Sequence, residues 1–210
     1  MTITISTLVL GSINNNTYLI TDKESKIAAV IDPSIASREL LQKITDQGLH
    51  LEYILITHAH FDHIGGVKWL KEQFDYKIQV ALHPSDLTLW QSGGSAKEFG
   101  FDFNAGEEPD LIILNDQILK LGNTSIKVLH TPGHTPGHVT FLIEVGLAAF
   151  CGDLIFYHGI GRTDLKISNE HDLMRSIVEK IFKLDPKMNL YPGHGPSTSV
   201  QEEMENNPFF

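Results

Sequence analysis

Apolar and polar residues alternate over short stretches in the first part of the chain, a pattern typical of β-strands. Strands are predicted at residues 2–8, 17–21 and 28–31, and polar segments rich in turn-forming residues separate them. Residues 37–47 have apolar positions at helical spacing and end near Gly48, which favours a helix there.

The same mixture of strands and helices continues to the end of the chain. Further strands are predicted at residues 53–56, 78–82, 117–120, 125–130, 139–145, 147–151 and 189–191. Further helices are predicted at residues 65–73, 171–182 and 199–206. Two β-rich halves with attached helices indicate an α/β (α+β) fold in which sheet packs on sheet and helices lie outside.

Residues 91–110 form the stretch with the weakest signal for regular structure. They contain glycines, a proline and the aromatic residues Phe99, Phe101 and Phe103. A long irregular segment in a compact domain is often functional, so a surface loop is predicted here. Its aromatic rings would form either a hydrophobic wall for a substrate or the small core of the loop itself.

Composition and charge narrow the class of protein. The 210 residues contain no linker-like segment, so a single domain covering 1–210 is predicted. The formal net charge of -10 disfavours nucleic acid and anionic membranes as partners. No apolar run approaches the roughly 20 residues of a membrane span, and the N-terminus lacks a signal-peptide pattern. A cytoplasmic protein is expected, and its one cysteine, Cys151, allows no intrachain disulfide.

The strongest chemical signal follows the predicted strand at residues 53–56, where four potential metal ligands fall within six residues. Side chains two residues apart point the same way from an extended segment, so His58 and His60 can face one centre. When the chain turns into the next helix, Asp62 and His63 can reach a neighbouring centre, which is the requirement for a two-metal site. Imidazole and carboxylate ligands suit zinc, and also iron or manganese.

Three further ligand types follow predicted strands in turns rich in glycine and proline. His134 comes after the strand at 125–130, Asp153 after the strand at 147–151, and His194 after the last strand. Loops at strand ends gather distant residues on a rigid scaffold. Each of these turns alone would be ordinary, and their joint occurrence with the histidine block predicts one metal centre.

These motifs resemble those of the metallo-β-lactamase superfamily, in particular its glyoxalase II-like (hydroxyacylglutathione hydrolase-like) branch. The resemblance rests on the His-x-His-x-Asp-His block, Thr131-Pro132-Gly133-His134-Thr135, Gly152-Asp153, Gly159-Ile160-Gly161-Arg162-Thr163-Asp164, Pro192-Gly193-His194-Gly195 and Asn207-Pro208-Phe209. It implies a four-layer αββα sandwich with the site at one edge of the sheets.

The resemblance also implies the ligands of two divalent cations. His58, His60 and His134 would hold the first, Asp62, His63 and His194 the second, and Asp153 would bridge them. Zinc is the expected metal, with iron or manganese as alternatives. The β-lactamases proper use different ligand patterns, so antibiotic hydrolysis is not the expected role.

A water between two such cations would be ionised near neutral pH and would attack a carbonyl carbon. Catalytic roles are therefore expected for Asp62, His58, His60, His134 and Asp153. The sequence offers no obvious dedicated general acid, which favours a thioester, because a thiolate departs without a proton donor. A small-molecule thioester is the expected substrate.

Other activities on the same scaffold stay open. A persulfide dioxygenase would use one ferrous iron held by His58, His134 and Asp153 and would consume oxygen. A lactonase or another ester hydrolase would use the same site. A nuclease of the same superfamily is disfavoured by the negative net charge.

Substrate contacts are predicted less sharply than metal ligands. The resemblance places Arg162 where related enzymes carry a lysine that contacts glutathione, although Arg162 can also pair with Asp164. His158 and Tyr157 are further candidates near the metals. The C-terminal helical domain with which two-domain relatives grip glutathione is not expected, so recognition of glutathione is open. A monomer or a homodimer is expected.

Overall fold

A computed structural model describes residues 3–210, in which two six-stranded sheets face each other. The first sheet contains, in spatial order, β1 (Ile3–Leu10), β2 (Asn15–Asp22), β3 (Ile27–Ile31), β4 (His50–Leu55), β5 (Gln79–Leu82) and β6 (Leu111–Ile112). The strand predicted from residue 2 therefore begins at Ile3 within the described part of the chain, and residue 2 itself lies outside it.

The second sheet is built from the later part of the chain. Its strands are β7 (Ile118–Leu121), β8 (Thr124–His130), β9 (Val139–Ile143), β10 (Ala148–Gly152), β13 (Asn189–Pro192) and β14 (Thr198–Ser199). Their spatial order is β14-β13-β10-β9-β8-β7. A separate two-stranded ribbon consists of β11 (Ile155–Phe156) and β12 (Gly159–Ile160).

Helices cover the outer face of each sheet. They are α1 (Arg38–Asp46), α2 (Phe61–Ile64), α3 (Val67–Lys71), α4 (Leu87–Gln91), α5 (Glu170–Glu179) and α6 (Val200–Asn206). Single 3-10 turns lie at Pro84–Asp86, Ala96–Phe99, Glu144–Gly146 and Ile181–Lys183. Within residues 3–210, none of the helices has the length and apolar character needed to cross a membrane.

Three apolar clusters define the layers. Between the sheets, Ile20 and Leu55 of the first pack with Phe141 and Phe150 of the second. Adjacent residues on the same strands point outward, because side chains alternate along a strand. They pack against α1, α3 and α4 on one side and against α5 and α6 on the other. The order helix, sheet, sheet, helix confirms the predicted αββα class.

Strand direction brings several strand ends to one edge. In the first sheet β3, β4 and β5 are parallel, so their carboxyl ends share an edge. In the second sheet β8 and β10 are both antiparallel to β9, and β13 is parallel to β10, so these three also end together. The backbone N–H of Val139 donates to the carbonyl of Thr57 at 2.8 Å, which joins the two sheets at this edge.

The structure corrects two predicted helices. The helix predicted at residues 65–73 is shorter, at Val67–Lys71 (α3), and the separate short helix α2 precedes it at Phe61–Ile64. The backbone N–H of Gly66 between them donates to the carbonyl of Pro33 at 2.7 Å, so the chain bends toward β3 instead of continuing one helix. The helix predicted at 171–182 ends at Glu179 and is followed by a 3-10 turn.

The segment at residues 91–110 is mostly irregular, as predicted, apart from the 3-10 turn at Ala96–Phe99. Sequence analysis missed α4 and the turn Pro84–Asp86 before it. That turn carries the buried carboxylate of Asp86, which lies next to the histidine block.

Candidate metal centre

All seven predicted ligands lie at the edge where the strands end. They form three overlapping groups, and within each group the potential ligand atoms lie within 4.8 Å of one another. The groups are His58, His60 and His134; His58, His63 and Asp153; and Asp62, His63 and His194. The structure thus brings together residues from four separate loops.

Thr57 and Asp32 orient the rings of His58 and His63 through hydrogen bonds to Nδ1. Asp32, immediately after β3, accepts hydrogen bonds from the Thr57 hydroxyl at 2.6 Å and from Nδ1 of His63 at 2.8 Å. Because the Thr57 hydroxyl donates to Asp32, it accepts from Nδ1 of His58 at 3.1 Å. Both rings therefore carry a proton on Nδ1 and turn Nε2 toward the centre.

Backbone carbonyls orient two more rings in the same way. Nδ1 of His134 donates to the carbonyl of Arg162 at 2.9 Å, and Nδ1 of His194 donates to the carbonyl of Ile13 at 3.1 Å. Each ring again turns Nε2 to the centre. A hydrogen bond that fixes the opposite nitrogen is the usual arrangement around metal-binding histidines.

Several atoms at the centre have no protein partner. Nε2 of His58 and Oδ1 of Asp153 are buried and make no hydrogen bond. Nδ1 of His60 lies 2.9 Å from Nε2 of His134, a separation at which two nitrogens must share a proton or a cation. Unsatisfied buried acceptors are costly, and divalent cations would satisfy them. The donor set therefore fits metal ions.

Burial keeps two of the histidines neutral. Burial, followed by the neighbouring His63 and His134, holds the pKa of His58 well below its ordinary value. Burial, followed by His134, lowers the pKa of His60 to about 3. A neutral imidazole is the form that donates a lone pair to a metal, so both rings are ready to bind at neutral pH.

The carboxylate of Asp153 is held ionised. Burial opposes ionisation, but His63, His134 and His194 together outweigh it and hold the pKa of Asp153 far below its usual range. Oδ1 of Asp153 lies 3.4 Å from Nε2 of His63, and Oδ2 lies 3.6 Å from Nε2 of His134. Oδ2 also lies 3.7 Å from Nε2 of His194, so the carboxylate lies between the two histidine groups.

Asp86 is a positioning residue that sequence analysis missed. Its side chain is fully buried, and Oδ2 accepts from the N–H of Ala59 at 3.0 Å and from the Thr135 hydroxyl at 2.7 Å. Oδ1 accepts from the N–H of Gly137 at 2.6 Å. One carboxylate thus joins the His58-Ala59-His60 loop to the loop that carries His134.

Close backbone approach explains the glycine before His194. A Cβ at Gly193 would contact Oδ1 of Asp153 and lie 2.7 Å from Cε1 of His63. The Gly193 N–H also donates to the carbonyl of Gly152 at 2.8 Å. Any side chain here would push the loops apart, so glycine sets the spacing of the ligand groups.

The centre forms the floor of a cavity of about 650 Å³. His60, Asp62, His134, Asp153 and His194 contribute to this floor. The walls are mostly apolar, with Phe61, Phe99 and Phe101 on one side and Phe156, Ile160 and Leu165 on the other. Phe103, the third aromatic residue of the predicted loop, packs instead against the apolar cluster between the first sheet and its helices.

Comparison with known proteins agrees with this architecture. Residues 10–194 match the metallo-β-lactamase superfamily. The chain belongs to this superfamily. It is 35% identical over 206 residues to the hydroxyacylglutathione hydrolase GloC of Haemophilus influenzae, with 98% of this chain and 97% of GloC covered.

Solved structures of the superfamily have the same fold. The BLEG-1 B3 metallo-β-lactamase has a TM-score of 0.91 and 33% identity, covering 98% of this chain and 99% of that one. The protein TTHA1623, solved in a di-iron-bound form, has a TM-score of 0.86 and 36% identity, covering 98% of this chain and 100% of that one. The chain is therefore a metallo-hydrolase of the superfamily, whose members bind divalent metals.

The candidate substrate residues fall in different places within this superfamily fold. Arg162 lines the cavity, but its guanidinium donates from Nε and Nη2 to the carboxylate of Asp164 at 2.7 and 2.8 Å. Nε2 of His158 lies 2.8 Å from Oε1 of Glu202, within hydrogen-bonding distance. The Tyr157 ring stacks on the His158 ring. Neither Tyr157 nor His158 lines the cavity, because this turn is pinned to α6.

Proposed function

We propose that the chain is a thioester hydrolase that uses two divalent cations. The observation that carries the proposal is the cluster of oriented ligand atoms at the floor of a largely apolar cavity, of which Nε2 of His58 and Oδ1 of Asp153 have no hydrogen-bond partner. The similarity to a relative named hydroxyacylglutathione hydrolase supports the same reaction class.

The residues divide between two cations by their spacing. His58, His60 and His134 would hold one, and Asp62, His63 and His194 would hold the other. Asp153, whose carboxylate lies close to His134 of one group and to His63 and His194 of the other, would bridge them. Two bound cations would supply an ionised water near neutral pH and polarise the substrate carbonyl.

The choice of leaving group follows from what lines the cavity. Within the described part of the chain, every carboxylate and histidine on the lining belongs to the three candidate ligand groups. Among these lining residues, no further carboxylic acid or imidazole is placed to protonate a departing group. A thiolate, whose conjugate thiol has a pKa of about 8.5, leaves without a proton, whereas an amine needs one.

β-Lactam hydrolysis is a second candidate, and the similarity to BLEG-1 favours it. The opening of a β-lactam ring releases an amine nitrogen that must gain a proton. The lining offers no free acid for that step, so the thioester is the better-supported substrate class. The metal is proposed to be zinc, and the di-iron form of TTHA1623 supports iron as the alternative.

Steady-state assays with protein reconstituted separately with zinc, ferrous iron or manganese test this proposal. S-D-lactoylglutathione, an S-acyl-N-acetylcysteamine and a chromogenic β-lactam are compared, and oxygen uptake with a persulfide is followed in the iron sample. We expect chelator-sensitive release of thiol without oxygen consumption. Thioesters that stay intact while the β-lactam is cleaved, or while oxygen is consumed with a persulfide, would refute the proposal.

A further inference from the structure

We propose that this site selects thioesters with an uncharged thiol and an apolar acyl group, which packs on an aromatic wall formed by Phe61, Phe99 and Phe101. This inference rests on the proposed thioesterase function and adds its substrate class. It is drawn from the exposure, anchoring and charge of the residues around the cavity.

The aromatic wall is an exposed apolar surface beside the metal centre. The ring centroids of Phe61 and Phe99 are 5.3 Å apart, and those of Phe61 and Phe101 are 5.9 Å apart. Phe99 and Phe101 are 50% and 57% exposed. Clustered exposed aromatic rings in a concave site favour binding of an apolar group, which removes their surface from water.

The wall is fixed to the histidine block. Phe61 lies between His60 and Asp62, and its N–H donates to the carbonyl of Gly94 at 2.9 Å. Gly94 has a φ of 61°, and a Cβ there would lie 2.5 Å from the nitrogen of Phe61 and 2.7 Å from the oxygen of Ala59. This close contact places the loop that carries Phe99 and Phe101 directly above the floor.

The opposite side of the cavity is apolar as well. Phe156 lies with its ring centroid 6.3 Å from that of His194, and Ile160 and Leu165 continue the surface. A group bound above the floor therefore meets hydrocarbon on both sides. The volume of about 650 Å³ lies within the range of small-molecule sites and accommodates a ring-bearing acyl group together with a short thiol.

The charges on the cavity lining disfavour an anionic thiol. Arg162 is the one lysine or arginine side chain among the described lining residues, and Nε and Nη2 of its guanidinium both donate to the Asp164 carboxylate. That pairing raises the pKa of Arg162 and lowers the pKa of Asp164 to about 2, so the guanidinium and the carboxylate both stay charged at neutral pH. A thiol with carboxylates, such as glutathione, finds no unpaired guanidinium or ammonium group on this lining.

Four thioesters test the contribution of the acyl group separately from that of the thiol. Acetyl and phenylacetyl groups are each attached to N-acetylcysteamine and to glutathione, and kcat/KM is measured with metal-loaded protein. We expect phenylacetyl to exceed acetyl by about tenfold or more on the same thiol, the scale of apolar discrimination in a binding pocket. Glutathione should give no advantage over N-acetylcysteamine. A preference for acetyl, or a gain of tenfold from glutathione, overturns the inference.

The variant Phe99→Ala/Phe101→Ala tests the wall itself. It should lower kcat/KM for the phenylacetyl thioester by about tenfold or more and that for the acetyl thioester by less than about threefold. Val145→Ala, which shortens a side chain that is 77% exposed in the 3-10 turn before β10, is the matched control and should change neither. Equal losses for both substrates would overturn the inference.

A binding measurement makes the result independent of turnover. Calorimetry with ketone analogues, in which a methylene replaces the thioester sulfur, should give tighter binding for the benzyl than for the methyl ketone, and the double variant should lose this difference. If no thioester is hydrolysed but the difference remains, the proposed function fails and the apolar site stands. If thioesters are hydrolysed and both ketones bind equally, this inference alone fails.

Discussion

The floor and the wall of the cavity are built in opposite ways. The histidines at the floor are largely buried, and four of them are held through Nδ1 by a carboxylate, a hydroxyl or a backbone carbonyl. In the aromatic wall, Phe99 and Phe101 are half-exposed rings on a loop that is attached through Gly94 to Phe61 of α2.

This difference separates two tasks. Metal chemistry needs ligands fixed to within a fraction of an ångström, which buried hydrogen bonds from rigid strand ends provide. Substrate choice needs surface that a ligand can cover, and rings on a loop provide that with fewer internal contacts. Changes at the floor should therefore abolish reaction, and changes at the wall should alter preference.

The largest effect is expected for Asp153→Ala. The variant removes the carboxylate whose oxygens face both histidine groups, so it should lose metal and reduce kcat/KM by about a thousandfold or more. Metal content and thioester hydrolysis are measured on the same sample. Full activity in this variant would contradict the assignment of the floor.

The next largest effect is expected for Asp86→Asn. The amide places a donor where three donors now converge, so the two ligand loops should shift and metal affinity should fall about 10–100-fold. Competition with a chromogenic chelator measures that affinity. Asp116→Asn is the matched control, because Asp116 is exposed and pairs with Lys127 away from the centre. Similar affinities for both variants would show that Asp86 does not support the floor.

A moderate effect on stability is expected from His83, which precedes the turn that carries Asp86. Burial, with His130 stacked at 4.1 Å, lowers the pKa of His83 to about 4. The unfolded chain binds this proton near pH 6.5, so the contribution to stability is complete above that pH and is lost as pH falls toward 4, by at most about 3 kcal/mol.

Urea unfolding of metal-free protein at pH 7 and pH 4.5 tests this effect. His83→Gln should lose less of its free energy of unfolding than the wild type over that interval. NMR titration of the His83 ring should give the lowered value directly. An ordinary titration near pH 6.5 would show that the ring is not held in its buried form.

The smallest effect is expected for Arg162→Gln. Its guanidinium is already occupied by Asp164, and the ligand His134 is held by the Arg162 backbone carbonyl, which the substitution retains. Hydrolysis of an uncharged thioester should change by less than about threefold. A loss of tenfold or more with S-lactoylglutathione, but not with the N-acetylcysteamine ester, would indicate that Arg162 anchors a carboxylate after all.

The sequence made the floor predictable because its ligands cluster in short motifs directly after strands. Strand direction then required those ends to meet, and the structure brings the seven residues together. Their role as ligands stays a prediction until metal is measured. The αββα layering was predictable from strand and helix spacing together with the family resemblance.

The supporting residues were not predictable from local pattern. Asp86 is a single carboxylate in a short turn, and only the approach of Ala59, Thr135 and Gly137 in the folded chain gives it a role. The pattern also placed Tyr157 and His158 near the centre by their distance from Asp153 in sequence. Hydrogen bonds to Glu202 and Glu203 of α6 turn that segment away, a tertiary effect that sequence spacing does not encode.

The central claim is that one chain holds two cations at the floor. The most direct test is the metal content of wild-type protein, measured by inductively coupled plasma mass spectrometry after zinc reconstitution and removal of free metal. The two groups joined by Asp153 predict about two zinc ions per chain. A content of one ion or none per chain would contradict the account.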